Sequence, residues 1–205
     1  MENNTLKNFV EEVSSKQATP GGGGVIAYVG SLASSLGIMV TNLTIGKKTY
    51  AKYENELEDI KKELEILKLN LLECINKDAE AFKPLAKAYS LSKDSEGYQE
   101  NLEKCLKDAA NSPLLILKYA CRVIELDERL AIIGSKISVS DAATSVMLAH
   151  GVLYGAYVNI IVNTNLMKDK EYASNMNDEA VKLLDEYSVR ALNIYDDICK
   201  RISND

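Results

Sequence analysis

At 205 residues, with 46% hydrophobic and 26% charged residues and only three prolines, the chain has globular composition and enough length to bury a large core. A net charge of −6 argues against a nucleic-acid partner, because phosphate backbones call for a basic face. With one histidine and four scattered cysteines (Cys74, Cys105, Cys121, Cys199) no His/Cys metal site is expected, and the cysteines read as reduced thiols.

Met1 to Phe9 is polar and lacks the basic-then-apolar order of a signal peptide, so a cytoplasmic location is expected. Thr5 can cap a short first helix with the apolar face Leu6, Phe9, Val10 and Val13, closed by Thr19-Pro20 and the run Gly21 to Gly24. A second helix is predicted from about Val25 to Ile45. Its small residues, among them Ala27, Gly30, Ser34 and Gly37, allow close backbone approach. A third runs from about Tyr50 to Tyr89, where Leu57, Ile60, Leu64, Leu67, Leu71 and Cys74 repeat in alternating steps of three and four. Pro84 is expected to kink it.

After the polar turn Ser90 to Gly97, a fourth helix is predicted through Ala110. Ser112-Pro113 reads as the cap and first residue of a fifth, which Gly134 closes. Ser140-Asp141 opens a sixth helix, and Asp178 to Ile202 forms a seventh. The expectation is one all-α domain over 1–205, a bundle of about seven helices without strands. Gly21 to Gly46 and Ala142 to Met167 carry no formal charge and are long enough to cross a membrane. Ser31, Ser34, Thr41, Asn42, His150, Asn159 and Asn163 interrupt them, so they read as buried central helices and not as membrane spans.

Asp78 is the most informative single position. Extending the seam of the third helix beyond Cys74 reaches Asp78, then Ala81 and Leu85, with Ile75 and Phe82 on the same side. A carboxylate on a face directed at the core has a raised pKa and suits proton transfer near neutral pH; the structural alternative is an ion pair with a lysine of another helix. Asp141 sits at a helix start, where capping alone would explain it. Asn159 and Asn163 lie one turn apart on an apolar helix and need partners there, either another helix or a polar ligand. Pro20-Gly21-Gly22-Gly23-Gly24 presents backbone N–H groups at a helix start or allows very close packing, but no Lys-Ser/Thr follows it as in a phosphate-binding loop. Lys47 and Lys48 add positive charge after Gly46. His150 reads as a hydrogen-bonded core residue, and nothing supports thiol catalysis.

Four blocks carry a resemblance: TPGGGGVIAYVGSLASSLGIMV (Thr19 to Val40), GKKTY (Gly46 to Tyr50), NKDAEAF (Asn76 to Phe82) and SDAATSVMLAHGVLYGAYVNIIVN (Ser140 to Asn163). In this order, over nearly the whole chain, they resemble the cyclodeaminase/cyclohydrolase family of folate enzymes. The family's glycine motif usually ends in Ser, where this chain has Gly24. The resemblance implies long helices, a homodimer and a folate site at or near the subunit contact. It raises Asp78, Asp141, Asn159 and Asn163 as site residues. From the chemistry of methenyltetrahydrofolate hydrolysis, Asp78 is assigned proton transfer, and Asp141 the cationic carbon or the pterin. Asn159 and Asn163 are expected to orient the ring, the glycine run to line the site, and Lys47 and Lys48 to meet the glutamate tail. Neither a metal nor an organic cofactor is expected. Cyclodeamination of the formimino derivative is the alternative within the family. A non-enzymatic helical protein that dimerises through its small-residue helices is the alternative outside it.

Overall fold

Thr5 opens the first helix as expected: its Oγ1 accepts the Asn8 backbone N–H at 3.2 Å. The computed structural model describes residues 5–204, and six α-helices follow one another among them: α1 (Leu6–Val13), α2 (Gly22–Asn42), α3 (Glu54–Tyr89), α4 (Tyr98–Ile133), α5 (Val139–Thr164) and α6 (Lys170–Asn204). Short 3-10 turns at Lys48–Tyr53 and Lys136–Ser138 precede α3 and α5, and no strand occurs among the described residues.

The count is six rather than seven because Ser112-Pro113 lies inside α4 and starts nothing. A proline in a helix interior removes one hydrogen bond and clashes with the carbonyl four residues before it, at a local cost of about 3 kcal/mol. Burial outweighs that here. Leu106, Ala109 and Ala110 before the proline and Leu114, Leu117 and Ala120 after it all enter one core, so the segment stays one rod. Pro84 is likewise held inside α3. Two boundaries also move. α2 begins at Gly22, three residues earlier than its apolar pattern, for a reason that lies in the site below. α6 begins at Lys170 and not near Asp178, because Asp169 Oδ1 accepts the Tyr172 N–H at 3.0 Å while Glu103 on α4 accepts the N–H groups of Lys168 and Asp169.

The seam of α3 is buried as its spacing predicts, from Leu57 through Cys74, and packs on α2 and α4. α2 carries no formal charge and α5 only Asp141, in its first turn. They pack on each other and on α4, and their length and composition would let each cross a membrane. Each keeps one side uncovered: Leu32 and Met39 on α2 with Leu43 just past its end, and Tyr154, Val158 and Val162 on α5 with Leu166 just past its end, are exposed.

All four arginines of the chain serve joints between helices. Arg122 and Arg129 on α4 pair with Glu63 and Glu56 on α3. Arg190 on α6 pairs with Glu128 and Glu125 on α4, and Arg201 donates to the Ala131 carbonyl at 2.7 Å. They line a groove of about 590 Å³ between α4 and α6, together with Glu125, Glu128 and Asp197.

Candidate functional site

The glycine run and Asp78 meet. The N-cap position of α2 is Gly21, which has no side chain to cap the helix, and the Asp78 carboxylate from α3 takes that place against the first turn. It accepts a hydrogen bond from the Gly24 backbone N–H. A Cβ on Gly23 would stand 2.1 Å from Asp78 Oδ1 and 2.6 Å from Oδ2, so no side chain fits there. This contact explains why α2 starts inside the glycine run: the entropic cost of the glycines is offset by a carboxylate on a helix N-terminus. Burial raises the Asp78 pKa above the ordinary carboxylate value, and the Gly24 N–H pulls it back by less. No lysine or arginine pairs with Asp78 among the described residues, so the structural ion pair that the sequence left open is not formed.

Asn159 and Asn163 face the same space from α5. Each donates its Nδ2 hydrogen to a carbonyl one turn earlier in its own helix, Asn159 to Gly155 at 2.7 Å and Asn163 to Asn159 at 2.8 Å. That fixes both amides and leaves their Oδ1 atoms as acceptors. Gly22 is close too, since a Cβ there would lie 3.3 Å from Asn159 Nδ2. Between these groups is a cavity of about 270 Å³. Its polar wall is Thr19, Gly21 to Gly23, Asp78, Asn159 and Asn163, and its apolar wall includes Phe82, Pro113 and Val162. No lysine or arginine lines it. Its character is that of an acceptor-rich slot with one carboxylate, a fit for a flat, cationic or donor-rich ligand.

The remaining site residues stand elsewhere in the chain. Pro20 is buried behind the glycines, where a Cβ on Gly24 would meet its Cβ at 3.2 Å; neither residue lines the cavity. Asp141 lies in the first turn of α5. It precedes Asn159 by 18 positions, so about 27 Å of helix separates them. Its capping role is not formed: Ser138 occupies the N-cap position, and no side-chain cap bond is made. Lys47 donates to Ser135 Oγ at 2.9 Å beyond the far end of α2, with Lys48 exposed beside it. Within one chain the structure thus gathers Asp78, Gly21 to Gly23, Asn159 and Asn163, and leaves Asp141, Lys47 and Lys48 at the opposite end.

Pro113 was readable only as a helix start, so its place in the cavity wall was missed. Phe82 was visible as a neighbour of Asp78 on the same helix side. His150 is half-buried and hydrogen-bonded through Nε2 to Ser188 Oγ at 2.9 Å, as expected of a core histidine. The four cysteines are free thiols, and burial pushes Cys74 up to about 11 and Cys121 up to about 12, which suppresses the thiolate.

Residues 5–182 match the formiminotransferase-cyclodeaminase family. The chain belongs to this family. It is 32% identical to the methenyltetrahydrofolate cyclohydrolase of Methylorubrum extorquens, over 98% of this chain and 99% of that one. It is 25% identical to the formimidoyltransferase-cyclodeaminase of Mus musculus, over 91% of this chain but only 35% of that much longer protein. Among solved structures it resembles formiminotetrahydrofolate cyclodeaminase from Thermotoga maritima, with a TM-score of 0.86 and 33% identity over 99% of this chain and 98% of that one. The family membership agrees with the resemblance read from the four sequence blocks.

Proposed function

We propose that this chain hydrolyses 5,10-methenyltetrahydrofolate to 10-formyltetrahydrofolate. The observation that carries the reading is the cavity itself: a half-buried carboxylate of raised pKa, two amide oxygens and no positive charge, held against a glycine-only backbone. The methenyl carbon bridges N5 and N10 and is cationic. Water adds to it, and Asp78 accepts the water proton as the C–O bond forms. The bond to N5 then breaks as the hydroxyl proton of the adduct is released to water, N5 takes the proton held by Asp78, and the formyl group stays on N10. The Oδ1 atoms of Asn159 and Asn163 accept from N–H groups of the ring and set its orientation, with Phe82 and Val162 against its faces. The reaction draws on no metal or organic cofactor.

A second copy of the chain completes this reading. The exposed stripes of α2 and α5 carry no charge, and we take them as the surface of a homodimer. Asp141 and Asn159 stand at equal distances along α5 on either side of His150. An antiparallel pairing of two α5 helices about that point brings Asp141 of one copy to the asparagine end of the other. Lys47 and Lys48, beyond the far end of α2, travel the same way and meet the anionic glutamate tail. The reading places the protein in the cytoplasm, with a subunit and not lipid on the uncharged faces.

Cyclodeamination is favoured by one observation, the likeness to the Thermotoga maritima cyclodeaminase at 33% identity over almost the whole chain. There N10 attacks the formimino carbon and ammonia leaves. Parallel assays separate the two. Loss of methenyltetrahydrofolate absorbance without ammonia release is expected; ammonia release from the formimino substrate, with no methenyl turnover, would replace the first reading by the second. A non-enzymatic dimerisation role predicts that saturating folate leaves the melting temperature unchanged, whereas ligand binding to the native state must raise it.

A further inference from the structure

A second carboxyl group lies deeper than Asp78 and takes no part in the cavity. Asp127 on α4 is fully buried. Its Oδ2 is hydrogen-bonded to Ser145 Oγ on α5, and Ser145 Oγ also lies 2.7 Å from the Ala33 carbonyl on α2. Three helices therefore meet at one serine hydroxyl.

Counting hydrogens decides the state of the acid. A hydroxyl has one hydrogen to give, and a backbone carbonyl can only accept. The Ala33 carbonyl and the Asp127 oxygen both stand within reach of the one Ser145 hydrogen, so the two bonds form together only when Asp127 supplies the second hydrogen. The other oxygen, Oδ1, has no hydrogen-bond partner and rests against Gly37, where a Cβ would come within 2.9 Å. An ionised carboxylate would hold a full charge with the Ser145 hydroxyl as its one donor, taken from Ala33; a neutral acid keeps both bonds and leaves only a carbonyl oxygen without a partner.

No charge from a neighbouring element offsets that cost. α2 has no formal charge, and the α3 side chain that meets Gly37 beside Asp127 is Leu64. On this stretch of α3, Glu56 and Glu63 are tied to Arg129 and Arg122, Asp59 and Lys62 pair with each other at exposed positions, and neither Glu58 nor Lys61 is buried. From α6, Arg190 is tied to Glu128 and Glu125, while on α5 His150 is bonded to Ser188. Burial pushes the Asp127 acid well above the ordinary carboxylate range.

We propose that Asp127 is held as a neutral carboxylic acid that donates to Ser145, and that its proton latches α4 to the α2–α5 pair. The chain Asp127 to Ser145 to Ala33 fixes the sliding position of α2 along α5. Those helices carry Gly21 to Gly23 and Asn159 with Asn163, so Asp127 acts as a positioning residue for the cavity walls. The proton is retained in the folded chain and given up at ordinary acidity in the unfolded one. The latch is therefore strongest at acidic pH, and it weakens as pH rises towards the folded-state pKa.

Infrared difference spectroscopy of the whole protein against Asp127→Asn tests the protonation state. At neutral pH the expected result is a carboxylic acid C=O band, sensitive to deuterium exchange, that the variant lacks. Melts from about pH 6 to about pH 9 test the latch: the wild-type Tm should fall with pH more steeply than that of Asp127→Asn, whose amide donates to Ser145 without titrating. If the variant removes a carboxylate band instead, or shows the same pH slope, the proposal is overturned. Should Asp127→Asn fail to fold, Ser145→Ala gives the second reading, because removing the acceptor must move the acid band. A band that does not move also overturns it.

Discussion

The Asp78 carboxylate and the backbone of Gly23 are in such close contact that a methyl group on Gly23 would sit 2.1 Å from Oδ1. One contact thus starts α2 and places the acid at the cavity. Gly23→Ala should displace Asp78 and lower kcat/KM by at least ~100-fold, the scale for losing one preorganised electrostatic group. Gly24→Ser is the contrast. Its Cβ meets the Pro20 Cβ at 3.2 Å, a side chain that needs to yield slightly, and Ile75 Cγ2 at an ordinary 3.7 Å, and Gly24 does not line the cavity. We expect activity near wild type and a stability change within ~1 kcal/mol in urea unfolding. An inactive Gly24→Ser beside an active Gly23→Ala would reverse the assignment of the wall.

Asp78→Asn preserves shape and removes basicity. A general base must be ionised to act, and burial raises the Asp78 pKa, so the wild-type rate should rise with pH through an apparent pKa above the ordinary value of about 3.9. The variant should lose that limb and most of the rate while melting normally, since no cation is left unpaired. A drop of several kcal/mol, roughly the 3–5 of a broken buried ion pair, would contradict the unpaired geometry.

Assembly can be broken from the surface. Val158 is 58% exposed on the uncharged side of α5, so Val158→Lys costs little in an isolated chain. Sedimentation should show a dimer for the wild type at micromolar concentration and a folded monomer for the variant, with turnover lost. Asp141→Asn should stay dimeric and stable yet lose at least ~100-fold in turnover, as expected for a contact to the cationic carbon. A fully active Val158→Lys monomer would show that one chain suffices.

Pro113→Ala restores a helical N–H inside α4 and shortens one wall of the cavity. Proline is about 3 kcal/mol worse than alanine in a helix interior, and lost packing offsets part of that gain. The melting temperature should rise while KM for the folate rises too. Unchanged KM would remove Pro113 from the ligand's surroundings.

Helix type and the α3 seam were legible because period and burial coincide there. The boundaries that moved depend on side chains from other helices, Asp78 for α2 and Glu103 for α6, and local sequence carries no trace of such partners. Ser112-Pro113 imitates a helix start so well that only the core on both sides of it overrules the reading. Asp78 was found because it interrupts an apolar seam. Asp127 interrupts the seam Leu117, Ala120, Ile124, Ala131 in the same way, and the same test applied to α4 would have flagged it. The separation of Asp141 from the asparagines was legible from their 18 positions on one predicted helix, but which end of α5 faces the cavity was not.

The chain keeps its arginine pairs on the joints of α3, α4 and α6 and its uncharged stripes on α2 and α5, so the two kinds of contact respond oppositely to electrolyte. Added salt screens the arginine pairs, most of which are partly open to water, and slackens those joints. Excluded salts such as sulfate strengthen apolar burial at the same time. If copies pair through those stripes as proposed, concentrated sulfate should tighten their association while the α3–α4–α6 joints loosen, and dilute buffer should favour the single chain.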